Sequence, residues 1–470
     1  MKESLARLVE LLHKEDIEYT TDESILTESS RDASIFSIQP SLVIYPRNSG
    51  EISTIVRAIE SPLSISVRAG GTCMTGASLT NSVLLNLTKH MTYIEVDAVC
   101  ACATVEMGAF YKDLEHKTLE HNLYLASYPS SKDVCGVAGM IGNNASGEKS
   151  IRYGATIDNV ISVTAILHDG SEVVFEELTE DEFHKKTKLD TCEGDIYRDI
   201  QKLLHDHQKA VESLHKDHPV KKCASGYRID RVYNKKANTY NLSPLFVGSQ
   251  STLGILTEAK VKLTRKQDNR KLVFMGIKNL SDLPFILKTI MNHDPESVET
   301  FDIHTFERAK GFHTEHTNRV QDFFDNAYQK TDSITKIGFN LFVLAEFASD
   351  NIDIVEEQAK DVVKELASID ELKVFEIQDT VLYDSIWKIR RNSFAVMRDY
   401  KDGTRHAVPC IEDVIVPIHT FDVFVPELTS ILKKHNIFSA FHGHIGDGSL
   451  RIIPVFDLSA PDVVNQIDSL

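Results

Sequence analysis

The stretch "VRAGGTCMTGAS", residues 67–78, decides the fold: it sets an arginine and Gly70, Gly71 and Gly76 among the hydroxyls of Thr72, Thr75 and Ser78 at the end of a strand-like run. Glycine lets the main chain approach a ligand closely, and successive amides in such a loop can form an anion-binding nest. The pattern lacks the Gly-Lys-Ser/Thr ending of a P-loop and is not a GxGxxG opening a helix. A nucleotide phosphate suits the loop, but the familiar nucleotide folds do not. Upstream, "SLVIYPRNSGEISTIVRAIESPLSISVRAGG", 41–71, reads as a strand, a turn at Pro46, a helix over about 50–60 and a second strand. That is a β-α-β unit, and it delivers the glycine loop at a strand end.

Two further segments share this character. In "SSKDVCGVAGMIGNNASGEKSIRYG", 130–154, Gly136, Gly139, Gly142, Gly147 and Gly154 surround the adjacent Asn143 and Asn144. Asparagine tolerates left-handed geometry and its amide both donates and accepts, which suits a ligand rich in heteroatoms. In "VGSQSTLGILTEAKVKL", 247–263, Gly254 and Ile255 open a strand. Between them, "VISVTAILHDGSEVVF", 160–175, predicts a hairpin turning at Asp169-Gly170. Three such clusters are hard to explain as independent turns.

Composition bounds the remainder. A chain of 470 residues exceeds one core, so two or three domains are expected. A formal charge of -18 argues against a broad nucleic-acid face, so any anion site is made locally. The seven cysteines are odd in number and scattered without a CxxC pair, so neither a disulfide framework nor a zinc ribbon is expected, and a cytoplasmic location follows. No apolar run reaches the ~18 residues of a spanning helix, which leaves membrane contact peripheral at most, as at an inner membrane surface. An N-terminal helical segment is expected over 1–34, a first domain over 35–266 and a second over 270–470, with the polar "TRKQDNRK", 264–271, at the boundary.

The ordered motifs "VRAGGTCMTGAS", "GMIGNNASGEKSIRYGAT" and "VGSQSTLGILTEAKVKL" resemble the FAD-binding fold of the vanillyl-alcohol oxidase superfamily, and within it the FAD-linked D-2-hydroxy-acid dehydrogenases. The resemblance implies an α+β chain: a two-subdomain FAD-binding domain followed by an α+β substrate cap. In that family the first loop wraps the FAD pyrophosphate, the second lines the ribityl chain and isoalloxazine, and the third closes on the flavin. Matching positions carry FAD contacts to Arg68, Gly70, Gly71, Thr72, Thr75, Gly76, Ser130, Gly139, Asn143, Asn144, Gly147, Tyr153 and Ile255. Some relatives attach flavin through a histidine after the paired glycines; Thr72 stands there, which implies non-covalent FAD.

The likeness continues into the second half. "SVETFD", 297–302, resembles the entry to the substrate domain, and "IWKIRRNSFAVMRD", 386–399, carries a Trp-x-x-Arg pattern whose Arg390 would take the substrate carboxylate. "HAVPCIEDVIVP", 406–417, resembles the branch fused to an iron-sulfur region, so iron-sulfur clusters are expected only in a longer or partner chain. In "FHGHIGDGSLRIIPVFD", 441–457, relatives bear two histidines seven positions apart that bind a divalent metal; here His444 is followed by Arg451, and no metal is expected. Arg451 could instead hold a carboxylate. A downstream Gly-Glu-His segment supplies the usual base in relatives, and because this chain stops at Leu470 the cap is expected to be C-terminally incomplete, leaving His444 as its candidate base.

The implied reaction is oxidation of a D-2-hydroxy acid to the 2-keto acid, with D-lactate favoured and D-2-hydroxyglutarate or glycolate as alternatives. Arg390, helped by Arg451, would fix the carboxylate so that the α-hydrogen faces flavin N5. Electrons would pass to a quinone, a cytochrome or an iron-sulfur protein rather than to oxygen. A flavin-carrying electron-transfer subunit without its own turnover is the second expectation.

Overall fold

The structure, a computed structural model, describes residues 2–217, 220, 222–327, 338–411 and 413–470. The chain divides into two compact units: Met1–Gly147, Tyr153–Pro219 and Cys223–Lys266 form the first, and Glu148–Arg152, Val220–Lys222 and Gln267–Leu470 the second. Two short stretches from the middle of the first half are thus built into the second unit.

In the first unit, α1 (Lys2–Lys14) turns Leu8 and Leu12 into the main core, so the opening helix packs as part of this unit rather than standing as a separate segment. The expected β-α-β unit is present, and its helix is set by local chemistry. Strand β2 (Leu42–Ile44) leads to α2 (Ser49–Ala58), where Asn48 caps the first turn by accepting from the Glu51 amide at 3.0 Å and Ile52 and Ile55 face inward. Strand β3 (Ile65–Arg68) then runs into the glycine loop, and β4 (Val83–Asn86) returns between β2 and β3, parallel to both. With β1 (Tyr19–Thr20) at the edge, the order is β1-β2-β4-β3.

A second, antiparallel sheet is assembled from β5 (Ile94–Asp97), β6 (Cys102–Glu106), β7 (Val160–Ile166), β8 (Glu172–Phe175) and β9 (Ile255–Lys262). The last of these in sequence lies at the centre, between β6 and β7. The β7-β8 hairpin closes as predicted, with Gly170 at φ +77°. At the β5-β6 turn the structure departs from expectation: Cys100 and Cys102 are joined in a disulfide, their Cα atoms 5.4 Å apart and within bridging range, while the other five cysteines are free.

The second unit is organised by one antiparallel sheet. Its strands are β10 (Asn269–Ile277), β11 (Ser297–Asp302), β12 (Leu341–Ser349), β13 (Lys373–Ile377), β14 (Arg405–Ala407), β15 (Val414–Ile415), β16 (Phe438–Gly443) and β17 (Ser449–Asp457). The path runs β13-β10-β12-β11-β16-β17-β14, with Lys401–Asp402 beyond β14 and β15 paired to the start of β17. One face carries an aromatic core of Phe274, Phe301, Phe306, Phe324, Phe339 and Phe342 beneath α4 (Thr380–Arg391) and α5 (Ser393–Arg398). Among the described residues no helix is long and apolar enough to cross a membrane.

Gly147 shows how tightly the second glycine loop is set. A Cβ there would lie 1.8 Å from the Tyr128 carbonyl oxygen, a contact only a main-chain shift can relieve. Gly147→Ala is therefore expected to destabilise the protein by about 3 kcal/mol, the upper end for overpacking, read as a lowered denaturant midpoint at unchanged slope. An unchanged midpoint would mean that the loop does not press on Tyr128.

Candidate functional site

In the first unit the three glycine segments come together. Gly71 and Gly76 take φ +67° and +76°, the left-handed geometry that glycine accepts without strain. Gly70 lies against the second segment so closely that a Cβ would meet the Val134 carbonyl oxygen at 2.3 Å. The third segment is stitched to both others: Gln250 Nε2 donates to Asn143 Oδ1 at 2.9 Å and to Thr75 Oγ1 at 3.4 Å, and the Gln250 amide donates to the Gly142 carbonyl at 3.0 Å. Cys73 Sγ adds a long contact of 4.0 Å to the same Asn143 oxygen.

The surfaces these loops leave fit a large polar cofactor. Gly139 sits inside α3 (Val137–Gly142), where alanine would be favoured by about 1 kcal/mol, yet a Cβ there would meet nothing within 4 Å. A glycine that neither backbone strain nor a neighbour requires marks a cradle that a side chain would fill. Thr72, Thr75 and Gly76 stand on the adjacent loop, half-buried or exposed.

Other expected cofactor residues have different surroundings. Arg68 Nη1 donates to the carbonyls of Arg31 at 2.7 Å and Ser29 at 3.3 Å, so its guanidinium braces the N-terminal segment. Asn144, at φ +47°, spends both ends of its amide internally, donating to the Cys223 carbonyl at 2.9 Å and accepting from the Ile157 amide at 3.0 Å. The Ile255 side chain is in the core beside Ile166, which leaves only its main chain for a ligand. Ser130 is exposed in a turn, and half-buried Tyr153 meets Tyr124 edge-on at 6.3 Å.

In the second unit a buried charged cluster surrounds Glu299. Every residue of β11 is buried, and its two acids serve different ends. Asp302 is structural: it caps the following helix through the Thr305 amide at 2.8 Å and accepts from the Phe441 amide at 2.9 Å. Glu299, 1% exposed, is held by two side chains, Arg390 Nη2 at 2.5 Å and His444 Nδ1 at 2.8 Å. Burial pushes the Glu299 carboxyl up to about 7 despite the Arg390 guanidinium, and Glu148 adds to the rise. Burial and the charges of Lys222 and Arg390 push His444 well below the usual imidazole range, so the ring is neutral near pH 7. With Nδ1 on the carboxylate, the favoured tautomer leaves the lone pair on Nε2.

The adjacent arginines separate as their helical spacing requires. Asp379 caps α4 by accepting from the Val381 and Leu382 amides, and the helix buries Ile386, Trp387, Ile389 and Arg390 on the sheet side. Arg391 points away, gripping Glu148 at 2.8 and 3.0 Å and stacking 4.7 Å over the Trp387 ring. Arg451 lies over Phe394 at 5.0 Å with Nε 2.5 Å from Asp413. Asp413 is exposed, and the Arg451 guanidinium beside it holds its carboxyl below its ordinary value.

The stretch 148–152 is an anchor within the second unit. Glu148 meets Arg391, Lys149 pairs with buried Glu296 and Glu346, Ser150 donates to Asp447 at 2.8 Å, and Arg152 donates to the Ala348 carbonyl at 2.8 Å. Glu346, also contacted by Arg270 and the Tyr383 hydroxyl, is held well below its ordinary value because Lys149 and Arg270 outweigh burial.

Sequence reading missed Glu299, Lys222, His442, Asp413 and Glu148 as members of this cluster. For Glu299 a signal existed: an ionisable residue at the middle of the strand "SVETFD".

His444 Nδ1 is engaged by Glu299, which leaves Nε2 as the ring's available lone pair, and the nearby acids Asp413 and Asp447 are matched by the cations Arg451 and Lys222. Among the described residues the one trio of candidate ligands drawn together is Asp97, Cys100 and Cys102, whose sulfurs are bonded to each other.

Comparison with known proteins agrees with this architecture. Residues 40–176 match the model of an FAD binding domain, and residues 266–470 match the C-terminal domain of FAD linked oxidases. D-2-hydroxyglutarate dehydrogenase of Escherichia coli is 25% identical over 451 residues, 92% of this chain but 42% of that protein, so the chain spans about two-fifths of its length. Glycolate oxidase subunit GlcD of Bacillus subtilis is 25% identical over 92% of this chain and 77% of its own, and D-lactate dehydrogenase of Archaeoglobus fulgidus 22% over 96% and 82%. Among solved structures, 4-ethylphenol oxidase from Gulosibacter chungangensis superposes with a TM-score of 0.66 at 14% identity, covering 100% of this chain and 86% of that one. With matched domains in both halves, the chain belongs to the FAD linked oxidases, on a fold shared with that solved oxidase.

Proposed function

We propose that this chain oxidises a D-2-hydroxy acid to the 2-keto acid, with FAD bound non-covalently in the first unit and electrons passed on to an acceptor other than oxygen. The observation that carries this reading is the buried Arg390–Glu299–His444 arrangement in a domain of the FAD linked oxidase type. FAD, when bound, supplies the hydride acceptor, and the protein supplies orientation and proton handling.

Arg390 brings a guanidinium to the substrate carboxylate, an interaction worth roughly 1.5 to 3 kcal/mol per charge-assisted hydrogen bond. Neutral His444 has a lone pair for the hydroxyl proton, and Glu299 orients the ring and stabilises the imidazolium that forms, the logic of a nucleophile-and-base pair backed by a carboxylate. D-lactate is the substrate the motifs favour; the names of the relatives keep D-2-hydroxyglutarate and glycolate beside it.

Anaerobic mixing of the flavin-loaded protein with each of the three acids tests the reaction. Bleaching of the flavin band is expected with at least one, and no bleaching with any of them defeats the proposal. A separate measurement addresses the cradle. Gly139→Ala should leave thermal stability equal or slightly raised, because alanine is the better helix former, while FAD affinity drops at least tenfold by titration of the stripped protein; unchanged affinity would remove Gly139 from the cofactor surface.

The pH dependence follows from Glu299. Its carboxyl ionises as pH rises through about 7, and the ionised form is the one that accepts the His444 Nδ1 proton. The kcat/KM for the acid should therefore climb with pH through an inflection near 7, and Glu299→Gln should lower the plateau and flatten that limb. A profile of the same shape in the variant would assign the inflection to another group.

A further inference from the structure

In the cluster around His444, two groups hold buried polar atoms that lack a hydrogen-bond partner among the described residues, Arg390 Nε and both ring nitrogens of His442, and beside them stands Lys222. Native proteins leave few such atoms unexplained, and here they occur together. His442 is 4% exposed; it lies on β16 opposite Arg451 of β17 on one side and Phe301 of β11 on the other, with the Phe394 ring 6.3 Å away. Burial and the charges of Arg390 and Arg451 push it well below the usual imidazole range, so it is a neutral ring with one donor and one acceptor. Lys222 comes from the short stretch built into this unit and keeps one ion pair, to Asp447 Oδ2 at 3.0 Å, which leaves part of its three-donor capacity unused. It acts on Glu299, His444 and Asp413 alike, which places it within the same electrostatic neighbourhood.

Charge decides what these groups can hold. Among the described residues the cations Arg390, Lys222 and Arg451 face Asp413 and Asp447, with Glu299 titrating near 7 and Arg391 matched to Glu148. With Glu299 ionised, as the reaction requires, three positive charges stand against three negative ones, and the imidazolium that forms on His444 adds one positive charge. One carboxylate neutralises that added charge; a second would bring an uncompensated buried negative charge.

We propose that Lys222 and His442 are anchoring residues which, with Arg390, form a site for the single carboxylate of a small 2-hydroxy monocarboxylic acid, without a divalent metal ion. The inference rests on the dehydrogenase reading for the identity of the acid and goes beyond it in assigning the two anchors and the substrate class. The side-chain cations occupy the electrostatic role that a metal ion would otherwise take.

The test uses the full-length, flavin-loaded protein. Binding of D-lactate, D-2-hydroxyglutarate and pyruvate is measured by calorimetry and by perturbation of the flavin spectrum, alongside steady-state rates and metal content by mass spectrometry. D-lactate and pyruvate should bind at least tenfold more tightly than D-2-hydroxyglutarate. Lys222→Met and His442→Phe should each weaken D-lactate binding at least tenfold, raising KM more than they lower kcat, and Lys222→Arg should recover most of the loss. Metal should be far below one equivalent, and prolonged dialysis against a chelator should leave binding unchanged. Tighter binding of the dicarboxylate, unaltered affinity in both variants at unchanged melting temperature, or a stoichiometric metal whose removal weakens binding would each overturn the inference. Binding without flavin bleaching by any acid would instead overturn the dehydrogenase reading and leave the anion site standing.

Discussion

The buried carboxylate of Glu299 is the constraint on which the second unit's chemistry depends. It receives Arg390 from a helix and His444 from the end of a strand, so one group fixes the direction of two others. Removing one partner of such a buried pair typically costs roughly 3 to 5 kcal/mol, because the other charge is stranded. The arrangement therefore holds its geometry without help from a ligand. The balance between burial, which favours the neutral acid, and the guanidinium, which favours the anion, places the carboxyl near neutrality, where a proton can be held or released with little bias.

The same physics explains why short stretches of the chain's first half are built into the second unit. Residues 148–152 bring an acid to Arg391, an ammonium to Glu296 and Glu346, and a hydroxyl to Asp447. Lys149, Glu296 and Glu346 are nearly inaccessible, so each would be costly alone and all are tolerable together. Apolar packing tolerates sliding, whereas a lattice of charge pairs has one register. The stretch that continues directly from the Asn143–Gly147 loop is thereby fixed at its polar side chains.

Much of this was legible in the sequence. The β-α-β unit, the hairpin at Asp169-Gly170 and the meeting of three glycine segments follow from local patterns, because glycine, asparagine and strand periodicity act over a few residues. What the patterns do not carry is pairing between distant positions. The return of β4 between β2 and β3, and of β9 into the centre of its sheet, depends on pairs as far apart in the chain as Lys262 with Cys102. Arg68 and Asn144 were legible as polar residues in the right loops, but a side chain's nearest acceptor is a tertiary fact: Arg68 found the Ser29 and Arg31 carbonyls, and Asn144 found Cys223 and Ile157.

The separation of Arg390 from Arg391 shows where local reasoning ends. Helical geometry alone requires that two consecutive residues point about 100° apart, so one of them had to leave the sheet side. Which one leaves is decided by the partners. Glu299 sits on a buried strand and can be satisfied only from above the sheet, whereas Glu148 arrives from outside and meets Arg391 where Trp387 offers a flat ring to stack on. An inward Arg391 would leave Glu299 without its guanidinium, and at a fully buried carboxylate that deficit exceeds what any half-exposed pair returns. The assignment of the two arginines is thus a consequence of burial depth, and burial depth is the quantity that a single sequence conceals most completely.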